Sequence, residues 1–113
     1  MPTRTSLDVA AQPKVWLTTW RVLETDYGTR HFIGHSVEDN IGRVSTPISS
    51  FDREKRTGRT LNGRVYKLLG PPGLDEEAVY VWERYSRIWR FAAAKDVSEE
   101  YFLPASGDSA LTH

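Results

Sequence analysis

Asp75-Glu76-Glu77-Ala78-Val79-Tyr80-Val81-Trp82-Glu83-Arg84-Tyr85-Ser86-Arg87-Ile88-Trp89-Arg90-Phe91-Ala92 is the stretch whose reading decides the fold. Ala78, Val81, Trp82, Tyr85, Ile88, Trp89 and Ala92 recur at helical spacing and make one broad apolar stripe. The spacing predicts a helix over 76–92, roughly 17 residues long. Asp75 is the N-cap by residue type, Glu76 and Glu77 supply first-turn carboxylates, and Leu74 can staple against Val79. Two indoles and a tyrosine on the stripe make this helix the predicted cover of the core.

Upstream of the helix the chemistry changes to strands. Val15 to Thr25 is rich in β-branched and aromatic residues and carries no breaker. Asp26-Tyr27-Gly28-Thr29 is a turn, and His31 to Val37 is expected to pair back antiparallel. Glu38 to Gly42 turns again into a third strand, Arg43 to Phe51. Pro47 inside it cannot donate to a ladder, so that strand is an edge or is bulged. Asn62-Gly63 is the strongest hairpin signal, flanked by Gly58 to Leu61 and Arg64 to Leu69. Gly70-Pro71-Pro72-Gly73 ends the sheet.

The expected fold is α+β: a small curled antiparallel sheet of about five strands, a barrel-like meander, covered by one C-terminal amphipathic helix. The candidate core comprises Trp16, Leu17, Trp20, Val22, Phe32, Ile33, Val44, Val65, Leu68, Val81, Trp82, Tyr85, Ile88 and Trp89. Asp96-Val97-Ser98-Glu99 resembles a second capping signal that begins at most a short turn carrying Tyr101 and Phe102. At 113 residues the chain is expected to hold one domain over 15–103, with a flexible leader over 1–14 and a disordered tail over 104–113.

Fifteen basic residues balance fifteen acidic ones, so composition gives no wholesale attraction to nucleic acid or an anionic membrane. The absence of cysteine removes disulfides, thiolate nucleophiles and cysteine-type metal sites. No run approaches the ~18 apolar residues of a membrane span. The expectation is a soluble, cytoplasmic protein. His31 and His35, four apart in a strand, lie roughly 13 Å from each other, too far to share a metal. They are expected to be half-exposed sheet residues. No Gly-x-Ser-x-Gly elbow occurs, and no glycine-rich loop leads from strand to helix. No enzyme activity, cofactor or metal is expected.

Two surfaces remain as binding candidates. Tyr80, Arg84, Arg87 and Phe91 recur on the helix face turned away from the core stripe, and Tyr and Arg are enriched at binding hot spots. They point to a protein partner or a homodimer. Arg53, Lys55, Arg56, Arg59, Arg64 and Lys67 form the one local excess of positive charge, which could track a nucleic-acid backbone.

Gly42-Arg43-Val44-Ser45-Thr46-Pro47-Ile48, Phe51-Asp52, Thr60 to Leu68 and Tyr80-Val81-Trp82 resemble a pattern in small uncharacterised proteins of proteobacterial genomes and their plasmids and phages. The resemblance spans roughly Trp16 to Val97 and brings no assigned activity or site residues. It implies an accessory or inhibitor protein of a mobile element, acting by binding a host or defence protein.

Overall fold

A computed structural model describes residues 11–102. The elements are β1 (Lys14–Thr25), β2 (Arg30–Ser36), β3 (Ile41–Val44), β4 (Ile48–Asp52), β5 (Thr57–Thr60), β6 (Val65–Leu68), α1 (Glu76–Ile88), β7 (Ala94–Asp96) and α2 (Ser98–Phe102). The strands form one mixed sheet in the order β3-β2-β1-β6-β5-β4, with β7 added to β1. The order ends at β3 and β4, so the sheet is open and the expected barrel-like meander does not form. It is mixed because β1 and β6 run parallel, Lys14 beside Val65 and Leu17 beside Leu68. The predicted tail and residues 1–10 of the leader lie outside the described residues. Lys14, assigned to the leader from sequence, opens β1, and Pro13 O accepts from Val65 N at 2.8 Å.

Local chemistry set most turns as expected. Gly28 and Gly63 adopt φ of +89° and +91° at the two predicted turns. The predicted third strand instead divides into β3 and β4 around Ser45-Thr46-Pro47, which joins opposite ends of the strand order. Pro47 has no N–H to continue a ladder.

The largest departure from sequence periodicity is inside β1. The pairing with β2 shifts between Thr18 and Arg21, and Thr19 sits at φ +43°. One extra residue reverses the alternation, so Val15 and Leu17 before the bulge share a face with Trp20 and Val22 after it. All four are fully buried, whereas Trp16, a predicted core residue, is thrown to the other face and is 40% exposed.

Two apolar clusters follow from this alternation. On one face Val15, Leu17, Trp20, Val22, Phe32, Tyr66 and Leu68 pack with Val97 and Tyr101, flanked by Ile48 and Phe51. Phe32 anchors the cluster, its ring centroid 5.5–6.2 Å from those of Tyr66, Phe51 and Tyr101. On the opposite face Ile33 packs with Ala78 and Trp82 of α1, flanked by Leu23, Val44, Val79, Tyr85 and Phe91. The helix therefore covers the second, smaller cluster. The main one is closed by α2, which Asp96 opens by accepting from Ser98 N at 2.9 Å.

α1 begins as its sequence predicts, with Asp75 accepting from Ala78 N at 2.9 Å. It ends at Ile88, four residues short of the prediction. Trp89 is the C-cap, and Arg90 turns left-handed at φ +61°. Phe91 N donates to Ser86 O at 2.9 Å and Arg90 N to Arg87 O at 3.2 Å, a Schellman closure. No glycine marks this stop, because tertiary contacts impose it. Asp26 accepts from the N–H groups of Ala92 and Ala93, and the chain then pairs as β7 along β1. The apolar stripe consequently outruns the sheet, leaving predicted core residues Ile88 and Trp89 72% and 57% exposed.

Gly42 on β3 fixes how closely α1 can approach. A Cβ there would lie 2.3 Å from Ala78 N, a backbone atom that cannot swing aside. Gly42→Ala is expected to lower the unfolding free energy by about 1–3 kcal/mol. Urea denaturation measures this, and an unchanged midpoint would contradict the helix-on-β3 packing.

Candidate interaction surfaces

The outward face of α1 is built by helical spacing alone. At 100° per residue, Tyr80, Arg84 and Arg87 fall within an arc of about 60°, nearly opposite Ala78 and Trp82. All three are exposed, Tyr80 at 58%. The Arg84 guanidinium lies 5.9 Å from the Tyr80 ring centroid and holds that ring against the helix surface. Phe91 does not join them. It follows the helix end and turns inward, 5.6 Å from Tyr27, 5.6 Å from His31 and stacked 5.7 Å from Trp82, centroid to centroid. Ile88 and Trp89 are exposed at the helix end, Ile88 beside the stripe and Trp89 on the side of Trp82. Their spacing assigned them to the core, and nothing in the sequence marks where the sheet beneath them stops.

The basic residues are similarly divided. Arg64 is buried, donating from Nε to Gln12 O at 2.9 Å. Arg56, left-handed at φ +54°, lies over the Phe102 ring at 4.5 Å. Arg53 and Lys55 are exposed in the β4–β5 turn, and Lys67 Nζ donates to Lys55 O at 2.7 Å. Register then brings Arg59 and Lys67 onto one uncovered sheet face. Lys14, Val65, Arg59 and Ser50 form one cross-strand row, and Trp16, Lys67, Thr57 and Asp52 form the next. Lys14 and Trp16 are the members that sequence reading missed, because the bulge decides which face Trp16 joins.

Between α1 and the sheet lies a buried polar chain. His31, 1% exposed rather than half-exposed as expected, is ringed by Trp82, Tyr85 and Phe91 at 5.6 Å each. Its Nδ1 is 2.8 Å from Ser45 O, and a carbonyl only accepts, so Nδ1 carries the proton. Nε2 of the neutral ring accepts from the Thr29 hydroxyl at 2.9 Å, and Thr29 accepts from the Thr25 hydroxyl at 2.9 Å. Thr25 in turn accepts from Tyr27 N at 3.2 Å. Every polar group in the chain is used up in holding the ring, so this is structural chemistry. His35 lies elsewhere, 3.7 Å from Asp75 at the helix start.

The β2–β3 turn holds a second polar cluster. Asp39 Oδ2 accepts from Gln12 Nε2 at 3.1 Å, Ser36 Oγ at 3.1 Å and buried Arg43 at 3.0 Å. Burial raises the Asp39 pKa, but these donors and the Arg43 charge outweigh it and hold the carboxyl below its ordinary range. Beside β4, an open groove of about 410 Å³ is lined by Ile48, Phe51, Leu61, Tyr101 and Arg30. Arg30 is already committed there, to Glu100 at 2.8 Å and to Tyr101 Oη at 3.3 Å. Among the described residues no helix is long and apolar enough to cross a membrane.

Burial pushes the His31 pKa below the ordinary histidine value, opposed in part by the bond to Ser45. The unfolded state then binds the proton more readily, so this contribution to stability is complete above about pH 6.5 and is lost as pH falls through the folded value. Asp39 and Asp96 act in the same direction only below about pH 4. Urea denaturation between about pH 7 and pH 5 should show stability falling in the wild type and a flatter dependence in His31→Gln. Equal slopes would contradict the neutral buried ring.

Comparison of the chain with protein-family models, with curated proteins and with solved structures finds no match.

Proposed function

We propose that this chain is a non-enzymatic protein-binding module that docks through the outward face of α1. It would serve as an accessory or inhibitor protein of the mobile-element class that its central sequence resembles. The observation that carries the reading is the exposed Tyr80–Arg84–Arg87 stripe, opposite the packed face and flanked by exposed Ile88 at the C-terminal end of the helix. Tyrosine and arginine supply large contact areas and directional donors at interfaces. Here they contribute little to the fold's own core.

A second reading is favoured by one specific observation. The uncovered rows of β1, β6, β5 and β4 carry Lys14, Arg59 and Lys67 around Trp16, with Asp52 as the carboxylate among them. Cations beside an exposed indole on a sheet suit a single-stranded nucleic acid, with phosphates on the amines and a base on the ring.

Immobilised wild-type protein and Tyr80→Asp, incubated with bacterial extract, test the first reading. Tyr80 is exposed, so folding should change by no more than about 0.5 kcal/mol. A partner held through a hot spot should lose at least about 2 kcal/mol of binding, roughly thirtyfold. Identical retained proteins, together with a wild type that does not self-associate, would overturn the α1 reading. The second reading predicts oligonucleotide affinity that falls with salt and loses about 1–3 kcal/mol in Trp16→Ala; no affinity at low salt would dismiss it.

A further inference from the structure

We propose that the partner on this face is a second copy of the chain, docked with the two α1 helices antiparallel about a two-fold axis. The inference rests on reading the outward face of α1 as a docking surface, and names its occupant.

The argument is the order of charges along that face. Glu76 and Glu77 lie at its N-terminal end, Tyr80 and Arg84 near its middle, and Arg87 and Ile88 at its C-terminal end. All six are exposed. Among the described residues, Glu76, Glu77 and Arg87 have no ion-pair partner within the chain. The face carries carboxylates in its first turn and guanidiniums at Arg84 and Arg87, with exposed Glu83 at its edge.

A pattern of this kind complements itself only when reversed. Residues 77 and 87 are equidistant from position 82, and so are residues 80 and 84. An antiparallel copy centred there brings Glu76 and Glu77 level with the second copy's Arg87, and Tyr80 level with its Arg84. Two-fold symmetry makes each contact twice. A parallel copy in register would bring like charges together at both ends. Antiparallel helices also place opposite dipole ends side by side. Trp82, at the centre of the repeat, faces the sheet and so leaves the contact to Tyr80 and Arg84. At the ends, exposed Ile88 and Leu74 supply apolar surface near the second copy's Leu74 and Ile88.

The size of the face sets the strength. Thirteen helical residues extend about 20 Å at 1.5 Å per residue. Two such faces fall short of the ~1,200 Å² of a stable interface, so the dimer is weak and reversible. Exposed charges carry much of it, so salt weakens it.

Sedimentation velocity across micromolar to millimolar protein, at low salt and at about 0.5 M salt, tests the proposal. The wild type should show a monomer–dimer equilibrium that weakens at least tenfold at high salt and at least tenfold with Arg87→Glu. Combining Arg87→Glu with Glu77→Arg reverses both ends of the pattern and should restore the dimer. That recovery excludes simple unfolding, and a thermal melt of each variant checks it. A wild type that stays monomeric throughout, or a dimer indifferent to Arg87→Glu, would overturn the proposal. The two levels separate cleanly. A monomer that still captures a protein in a Tyr80-dependent way removes the second copy and leaves the docking face, whereas a monomer with no such capture removes both.

Discussion

Strand β1 pairs with three others, and the residue inserted at Thr19 decides what each pairing can bury. Before the bulge β1 lies between β2 and β6; after it, β7 replaces β6 as the second neighbour. The inserted residue also keeps Val15, Leu17, Trp20 and Val22 on one face. Without it, the second half of the strand would present Arg21 and Leu23 to the main cluster and bury a charge among aromatic rings. A β-branched residue at positive φ is a strained solution. Its cost is offset by four fully buried side chains, among them the Trp20 indole, whose Nε1 finds Gly70 O at 3.0 Å.

That same constraint decides what is exposed at the end of α1 and beside β6. Because β7 occupies the free side of β1 beyond the bulge, the chain must leave α1 early and cross to the sheet. The turn at Arg90 follows, and with it the unsupported Ile88 and Trp89. On the other side of the bulge, parity throws Trp16 outward, beside Lys67. The polar faces are thus by-products of where the apolar residues had to go. That makes their composition informative, because aromatic residues left exposed by such geometry are available for other contacts.

Buried polar groups then fix the relative placement of helix and sheet. The His31 ring touches three aromatic residues of the α1 region while its nitrogens are held by Ser45 and Thr29. An apolar side chain there would leave the Ser45 carbonyl without this donor. The ring therefore ties the β3–β4 connection to the helix layer. Gly42 does the complementary task sterically, admitting the helix backbone where any side chain would exclude it.

How much of this was legible follows from the range of each interaction. The helix start is local, and Asp75, Glu76 and Glu77 announce it. The Gly28 and Gly63 turns need only backbone freedom, and the α+β class needs only the change of period between Val15 and Trp82. The stripe of Tyr80, Arg84 and Arg87 was legible for the same reason, since helical spacing alone places it. Position relative to other elements was not legible. The stop at Arg90 carries no glycine, the bulge at Thr19 carries no distinctive residue, and the parallel β1–β6 pairing joins segments some fifty positions apart. Those features assigned Phe91 to the interior, Trp16 to the surface, and the basic hairpin residues to four different environments. Sequence by itself determined the periodic elements, because their hydrogen bonds close within a few residues. Only the tertiary structure decided which faces are buried, because burial depends on the partner strand and on where the sheet ends.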